Sequence, residues 1–223
     1  MTRTKICDRI LPDYTKGEEI FNMVSHIIGG AFGIVALVLT VIFAAINHNP
    51  WGVVGGSIYG VSMVLLYTMS SVYHGLRPST AKKIMQVLDH CTIYLLIAGS
   101  YTPVLLSSIR RESPVWSWTL FGIVWGLAIL GIIFTAIDLK KYSVFSMICY
   151  LGMGWCIILA GKTALRAIPV GGLFWLFIGG ISYTIGAVLY CLGKKKRYMH
   201  SIFHLFVLLG SIFQFFAILL YVV

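Results

Sequence analysis

Two histidines four residues apart, His200 and His204, stand in the stretch Arg197-Tyr198-Met199-His200-Ser201-Ile202-Phe203-His204. On an α-helix, positions i and i+4 share a face with their side chains roughly 5–6 Å apart, so both imidazoles can reach one metal ion. That is half of a site. The pair opens an apolar run from Ser201 to Val223 that carries no charged residue and is long enough to cross a bilayer. Ionisable side chains just inside a spanning helix are expensive unless partnered or bound. The missing ligands should therefore lie at the same depth on other helices.

The elements that must supply them follow from composition. Of 223 residues, 59% are hydrophobic and only 11% charged, a balance that excludes an ordinary soluble domain. At about 20 residues per crossing the length suits one all-α bundle of seven transmembrane helices, a single domain over 1–223 with a short tail over 1–21. The apolar runs place the helices at about 22–46, 52–75, 82–108, 116–138, 143–165, 170–192 and 199–222. Pro103 should kink the third, with Thr102 satisfying a freed carbonyl. Glycines at 29, 30, 33, 55, 56, 60, 179, 180 and 186 fit close helix packing. The first nineteen residues mix both charges without an apolar core, so no cleavable signal is expected. Five cysteines, mostly within apolar runs and without a CxxC pair, make a disulfide framework an unexpected reading.

The net charge of +10 does not point to nucleic acid, because the basic residues cluster between apolar runs. Thirteen of the 17 Lys and Arg fall on one side: the amino-terminal tail, Arg77 with Lys82 and Lys83, Lys140 with Lys141, and Lys194 to Arg197. Arg110, Arg111, Lys162 and Arg166 make up the other side. This asymmetry predicts a cytoplasmic amino terminus and, after seven crossings, an external carboxy terminus, with the acidic inner leaflet as partner of the basic loops. Trp51, Trp116 and Trp118 then begin helices at the outer interface.

On this topology His74, Asp89, His200 and His204 come from three helices yet all fall within roughly 5–10 Å of the basic ring, at about 1.5 Å per residue. Three neutral imidazoles with one position open to water are a common setting for catalytic zinc. Asp89 can accept a hydrogen bond there, and Ser70, one turn before His74, can join it. The alternative is that these residues only hydrogen-bond helices to one another without metal. Glu18, Asn22 and His26 add a polar stripe on the first helix; His26 is open to three readings, a further ligand, a substrate contact or a packing histidine, with packing or support of the ligands put first. His90 must point about 100° away from Asp89. His48 is read as solvated, and Lys162 and Arg166 as snorkelling.

Asn22-x-x-x-His26, Ser70-x-x-x-His74, Leu88-Asp89-His90 leading into Ile97-Ala98-Gly99-Ser100-Tyr101-Thr102-Pro103, and His200-x-x-x-His204 together resemble the bacterial hemolysin III proteins of the progestin and adiponectin receptor superfamily. The resemblance runs from about Glu18 to the last helix. It implies seven helices with the amino terminus inside, in a bacterial plasma membrane. It also implies a Zn²⁺ held by His74, His200 and His204, a water anchored by Asp89, and a nearby Ser70 hydroxyl. A wider similarity to alkaline ceramidases implies hydrolysis of a membrane lipid amide or ester, with Asp89 and Ser70 in the chemistry. The hemolysin name implies membrane lysis instead. A sensor, receptor or pore-forming protein with a structural zinc is the alternative expectation.

Overall fold

The structure, a computed structural model, describes residues 4–193 and 196–223. Arg3, Lys194 and Lys195 of the basic count lie outside the described residues. Within them, seven helices are long and apolar enough to cross a membrane: α1 (Lys16–Ile46), α2 (Pro50–Gly75), α3 (Thr80–Glu112), α4 (Pro114–Ile137), α5 (Ser143–Ala167), α6 (Val170–Gly193) and α7 (Met199–Tyr221). The chain is an all-α, multi-pass membrane protein.

Local chemistry sets the helix starts. Thr15 and Glu18 form a reciprocal capping box, which starts α1 at Lys16, six residues before the apolar run begins. The helix thus includes Glu18 and Glu19, which hydropathy alone assigns to the tail. Asn49, Ser79 and Ser113 each accept a backbone N–H at the starts of α2, α3 and α4, satisfying donors that a first helical turn leaves free.

The central helix is α3. Of its apolar window 78% is buried inside the protein, against 22% for α6, so α3 packs on protein nearly all round while α6 turns most of its surface outward. Pro103 marks a change of helix geometry in α3. The helix widens into a π-helical stretch over Val104–Ile109 and regains α geometry at Arg110–Glu112, one of the adjustments by which a spanning helix tolerates proline. The Thr102 hydroxyl donates to the Ala98 carbonyl at 2.7 Å, whereas the carbonyl a proline at 103 deprives of its usual donor is that of Gly99.

Close approach separates the glycines into two groups. A Cβ at Gly29 would stand 2.5 Å from the Tyr67 ring, and one at Gly55 2.5 Å from the Pro103 Cα. At Gly30, Gly180 and Gly186 the nearest atoms leave ordinary contact distances. Gly29 matters to the site because the Tyr67 ring seated over it stands edge-on to His26, with centroids 4.9 Å apart. The Tyr67 hydroxyl donates to Ser211 Oγ at 2.7 Å, and Tyr183 meets the same oxygen at 2.8 Å. One serine of α7 thereby ties α2 and α6 together.

Residues 4–15 fold back beneath the bundle. The Thr4 amide donates to Asp138 Oδ2 at 2.9 Å, Arg9 reaches the Ile137 carbonyl, and Lys83 donates to the Cys7 carbonyl. The Thr4 amide first, then that of Lys141, hold the Asp138 carboxyl down at about 2. A folded-state value below the ordinary 3.8 means that the anchor contributes fully above that value and is lost as the pH falls through about 2. D138N should release this arm at neutral pH. We expect faster limited proteolysis after Lys5 and Arg9 in the variant, and in the wild-type protein only under strong acid, read by mass spectrometry with an acid-tolerant protease.

Candidate metal centre

Two elements bring the three histidines together. The last turn of α2 carries His74, and the first two turns of α7 carry His200 and His204. All three are buried, and one nitrogen from each falls within 4.8 Å of the others. The Nε2 atoms of His200 and His204 are 3.1 Å apart. Two unprotonated lone pairs at that distance repel, so the pair needs a shared proton or a cation between them. Two nitrogens bound to one tetrahedral zinc at about 2.0–2.1 Å stand roughly 3.3 Å apart. His74 Nε2 is buried with no hydrogen-bond partner, as expected of a lone pair directed at a metal. These donors fit a metal ion, and the cluster can hold one.

The fourth imidazole, His26, lies outside this converging group and packs beside it. The His26 ring lies nearly parallel to that of His204, with centroids 3.8 Å apart and planes inclined by 25°. Stacked rings present faces to each other, so His26 supports the orientation of His204. On the other side, Tyr14 stacks on His200 at 4.9 Å and 14°. Tyr14 belongs to the folded-back arm. Burial, then the nearby Tyr190 and the Glu19 and Asp89 carboxylates, pushes its phenol up, so the ring remains a neutral cover over the histidines.

Asp89 and Ser70 line one cavity of about 1140 Å³ together with His200 and His204. The Ser70 hydroxyl is buried without a hydrogen-bond partner. Among the described residues the Asp89 carboxylate has only a long contact, Oδ2 to His90 Nδ1 at 3.9 Å, so both groups keep capacity to bind a ligand in the cavity. His90 turns away from the triad, with Nδ1 on the Gln86 carbonyl at 2.8 Å and Nε2 on the Tyr190 hydroxyl at 3.2 Å. His48 is exposed with φ 51°, and Lys162 and Arg166 are exposed at their helix ends.

The stripe Glu18, Asn22 and His26 is buried, as the spacing predicted, but the carboxylate that meets His74 is the one next to Glu18. Glu18 closes the α1 cap and accepts the Tyr198 amide at 2.7 Å, fastening the start of α7. Its neighbour Glu19, about 100° around the helix, reaches His74 Nδ1 at 2.6 Å and Lys82 Nζ at 2.7 Å. A signal was present, since Glu19, Asn22 and His26 follow the i, i+3, i+7 rhythm of one face. Nothing in the sequence decided between that stripe and the one through Glu18. No local pattern marked Tyr14 or Lys82.

Away from the histidines the cavity is mostly apolar, with a few polar side chains such as Gln86, Lys140 and Gln214, and passes Ile97, Leu151, Trp155, Phe174 and Phe177 of α3, α5 and α6. The consecutive spans α5 and α6 touch each other only sparsely. Leu11 and Pro12 of the arm also line the cavity, at the same end as the histidines.

Fold and site together define a seven-span membrane protein with a metal-competent histidine cluster set into the end of an apolar cavity. Comparison with known proteins gives this class a family. Residues 14–215 match the family model described as haemolysin-III related, and the chain belongs to that family. It is 43% identical to hemolysin-3 of Bacillus cereus, over 92% of each chain. It is 41% identical to the hemolysin-3 homolog of Bacillus subtilis (strain 168), over 94% of this chain and 97% of that one. A human protein, the monocyte to macrophage differentiation factor, is 29% identical over 90% of this chain and 83% of its own.

Proposed function

We propose that the protein is a zinc-dependent membrane hydrolase that cleaves an amide or ester of a lipid drawn from the cytoplasmic leaflet. The observation that carries this reading is a single cavity with two chemistries. Its apolar length suits an acyl chain, and its closed end presents His200, His204, Asp89 and Ser70. At about 1140 Å³ it exceeds the roughly 300–1,000 Å³ usual for small ligands. The sparse contact between α5 and α6 supports sideways admission of a lipid from the bilayer.

His74, His200 and His204 would hold the zinc, which supplies Lewis acidity to acidify water and polarise a carbonyl. Asp89 accepts the proton of the attacking water on a carboxylate oxygen, as general base, and returns it to the leaving amine or alcohol. Ser70 Oγ–H, unpartnered within the protein, donates to the carbonyl oxygen as negative charge builds there. Tyr14 and the folded-back arm keep bulk water from the histidines. On this reading the whole chain is one domain, and the basic end faces the cytoplasm of a bacterial cell, an orientation the Lys/Arg asymmetry supports.

The test is hydrolysis of a panel of N-acyl sphingoid bases and acyl esters by the purified protein in vesicles, zinc-loaded against metal-depleted. Faster release of fatty acid by the loaded protein is expected. Equal rates with every member of the panel overturn the proposal. Leakage of vesicle contents without hydrolysis would favour a lytic role, the activity in the relatives' name, although the apolar lining of the cavity opposes a water-filled pore.

A further inference from the structure

One carboxylate joins three helices at the edge of the histidine cluster. Glu19, in the first turn of α1, places Oε2 2.6 Å from His74 Nδ1 on α2, while Oε1 accepts from Lys82 Nζ on α3 at 2.7 Å. Lys82 also donates to the Leu76 carbonyl at 2.9 Å. The His74 side chain is 0% exposed, that of Lys82 4% and that of Glu19 20%. Short, charge-assisted bonds in such surroundings are strong and directional.

We infer that Glu19 is the positioning residue of the metal centre: it fixes the tautomer and ring orientation of His74 and raises its basicity as a ligand. The chemistry follows from the two ring nitrogens. A carboxylate oxygen 2.6 Å from Nδ1 keeps the proton there, so the lone pair resides on Nε2, the nitrogen that is buried and unpartnered. A carboxylate behind a ligand histidine makes the imidazole a better donor, and loss of such a partner typically lowers metal affinity by about 10–100-fold. His200 and His204 stand in register on one helix and are braced by stacked rings. His74 comes alone from another helix, and its fixed carboxylate is what matches it to the pair.

Lys82 has a different role. It balances the charge of Glu19 and holds the carboxylate against the α2–α3 turn, but it withdraws electron density from the relay. Removing it should therefore weaken the fold without weakening the metal site.

This inference rests on the three-imidazole reading but not on hydrolysis, so the experiment reads zinc affinity rather than turnover. Zinc dissociation constants are measured by chelator competition for the full-length protein and for E19Q, E19A and K82M. Metal-free melting temperatures and cobalt(II) absorption spectra are recorded alongside. E19Q and E19A should bind zinc about 10–100-fold more weakly and show an altered cobalt spectrum. K82M should melt earlier without metal yet bind zinc as tightly as the parent or more so.

Unchanged zinc affinity in E19A with a lowered metal-free melting temperature would reduce Glu19 to a helix staple and overturn the inference. So would a loss of affinity in K82M as large as that in E19A, because general loosening would then explain both. A parent protein that takes up no zinc or cobalt overturns the inference together with the metal centre. A parent that binds zinc tightly but hydrolyses nothing leaves Glu19 standing and removes only the proposed activity.

Discussion

Substitution of His204 by alanine should abolish zinc binding and the stabilisation that zinc confers. His204 Nε2 is half of the 3.1 Å pair with His200, and its side chain is among the largest fully buried ones. Removing a direct ligand takes away a bond to the metal, so the loss should exceed the roughly 100-fold ceiling for a supporting partner. Zinc at 100 times its dissociation constant stabilises the parent by about 2.7 kcal/mol, which a thermal melt registers as a rise in midpoint. The variant should show no such rise. Because alanine also leaves a void against His26, His204→Gln belongs beside it. The glutamine fills most of the volume, so a metal-free midpoint near that of the parent, with the zinc response still missing, assigns the effect to ligation. An undiminished zinc response in both variants would remove His204 from the site.

The second large effect concerns Asp89. Asp89→Asn should keep zinc and lose turnover by about 10²–10⁴-fold, the usual contribution of a general base. Asp89 is not one of the three clustered ligands, yet it borders the same cavity as His200, His204 and the unpartnered Ser70 hydroxyl. Asparagine preserves its shape and its ability to accept a hydrogen bond, but it cannot take a proton at neutral pH. Zinc content and single-turnover hydrolysis measured on the same preparation separate the two roles. Loss of the metal together with turnover would make Asp89 part of the metal's own support instead of the base.

Much of the architecture could be read before any coordinates. Seven apolar runs gave seven helices, with most boundaries shifted by a few residues. The largest shift, at α1, arose because Thr15 and Glu18 cap a helix whose first turn is charged. Hydropathy measures what lipid accepts, not where hydrogen-bonded turns begin. The histidine cluster was legible for a similar reason. His200 and His204 lie one helical turn apart whatever the fold, and a shared depth for His74 follows from counting residues into a span.

Sequence alone determined which residues face one another along a single helix and how deep each lies, because a rise of about 1.5 Å and a turn of 100° per residue are properties of the backbone itself. It could not determine which face of each helix turns inward. That azimuth is set by close packing: the Tyr67 ring over Gly29, Pro103 against Gly55, one serine of α7 clasped by two tyrosines. Only the tertiary structure therefore decided that Glu19 and not Glu18 meets His74, that the His26 ring stacks on His204, and that the amino-terminal arm lays Tyr14 across His200. Each is a contact between elements distant in sequence, and no local periodicity encodes the angle at which two helices meet.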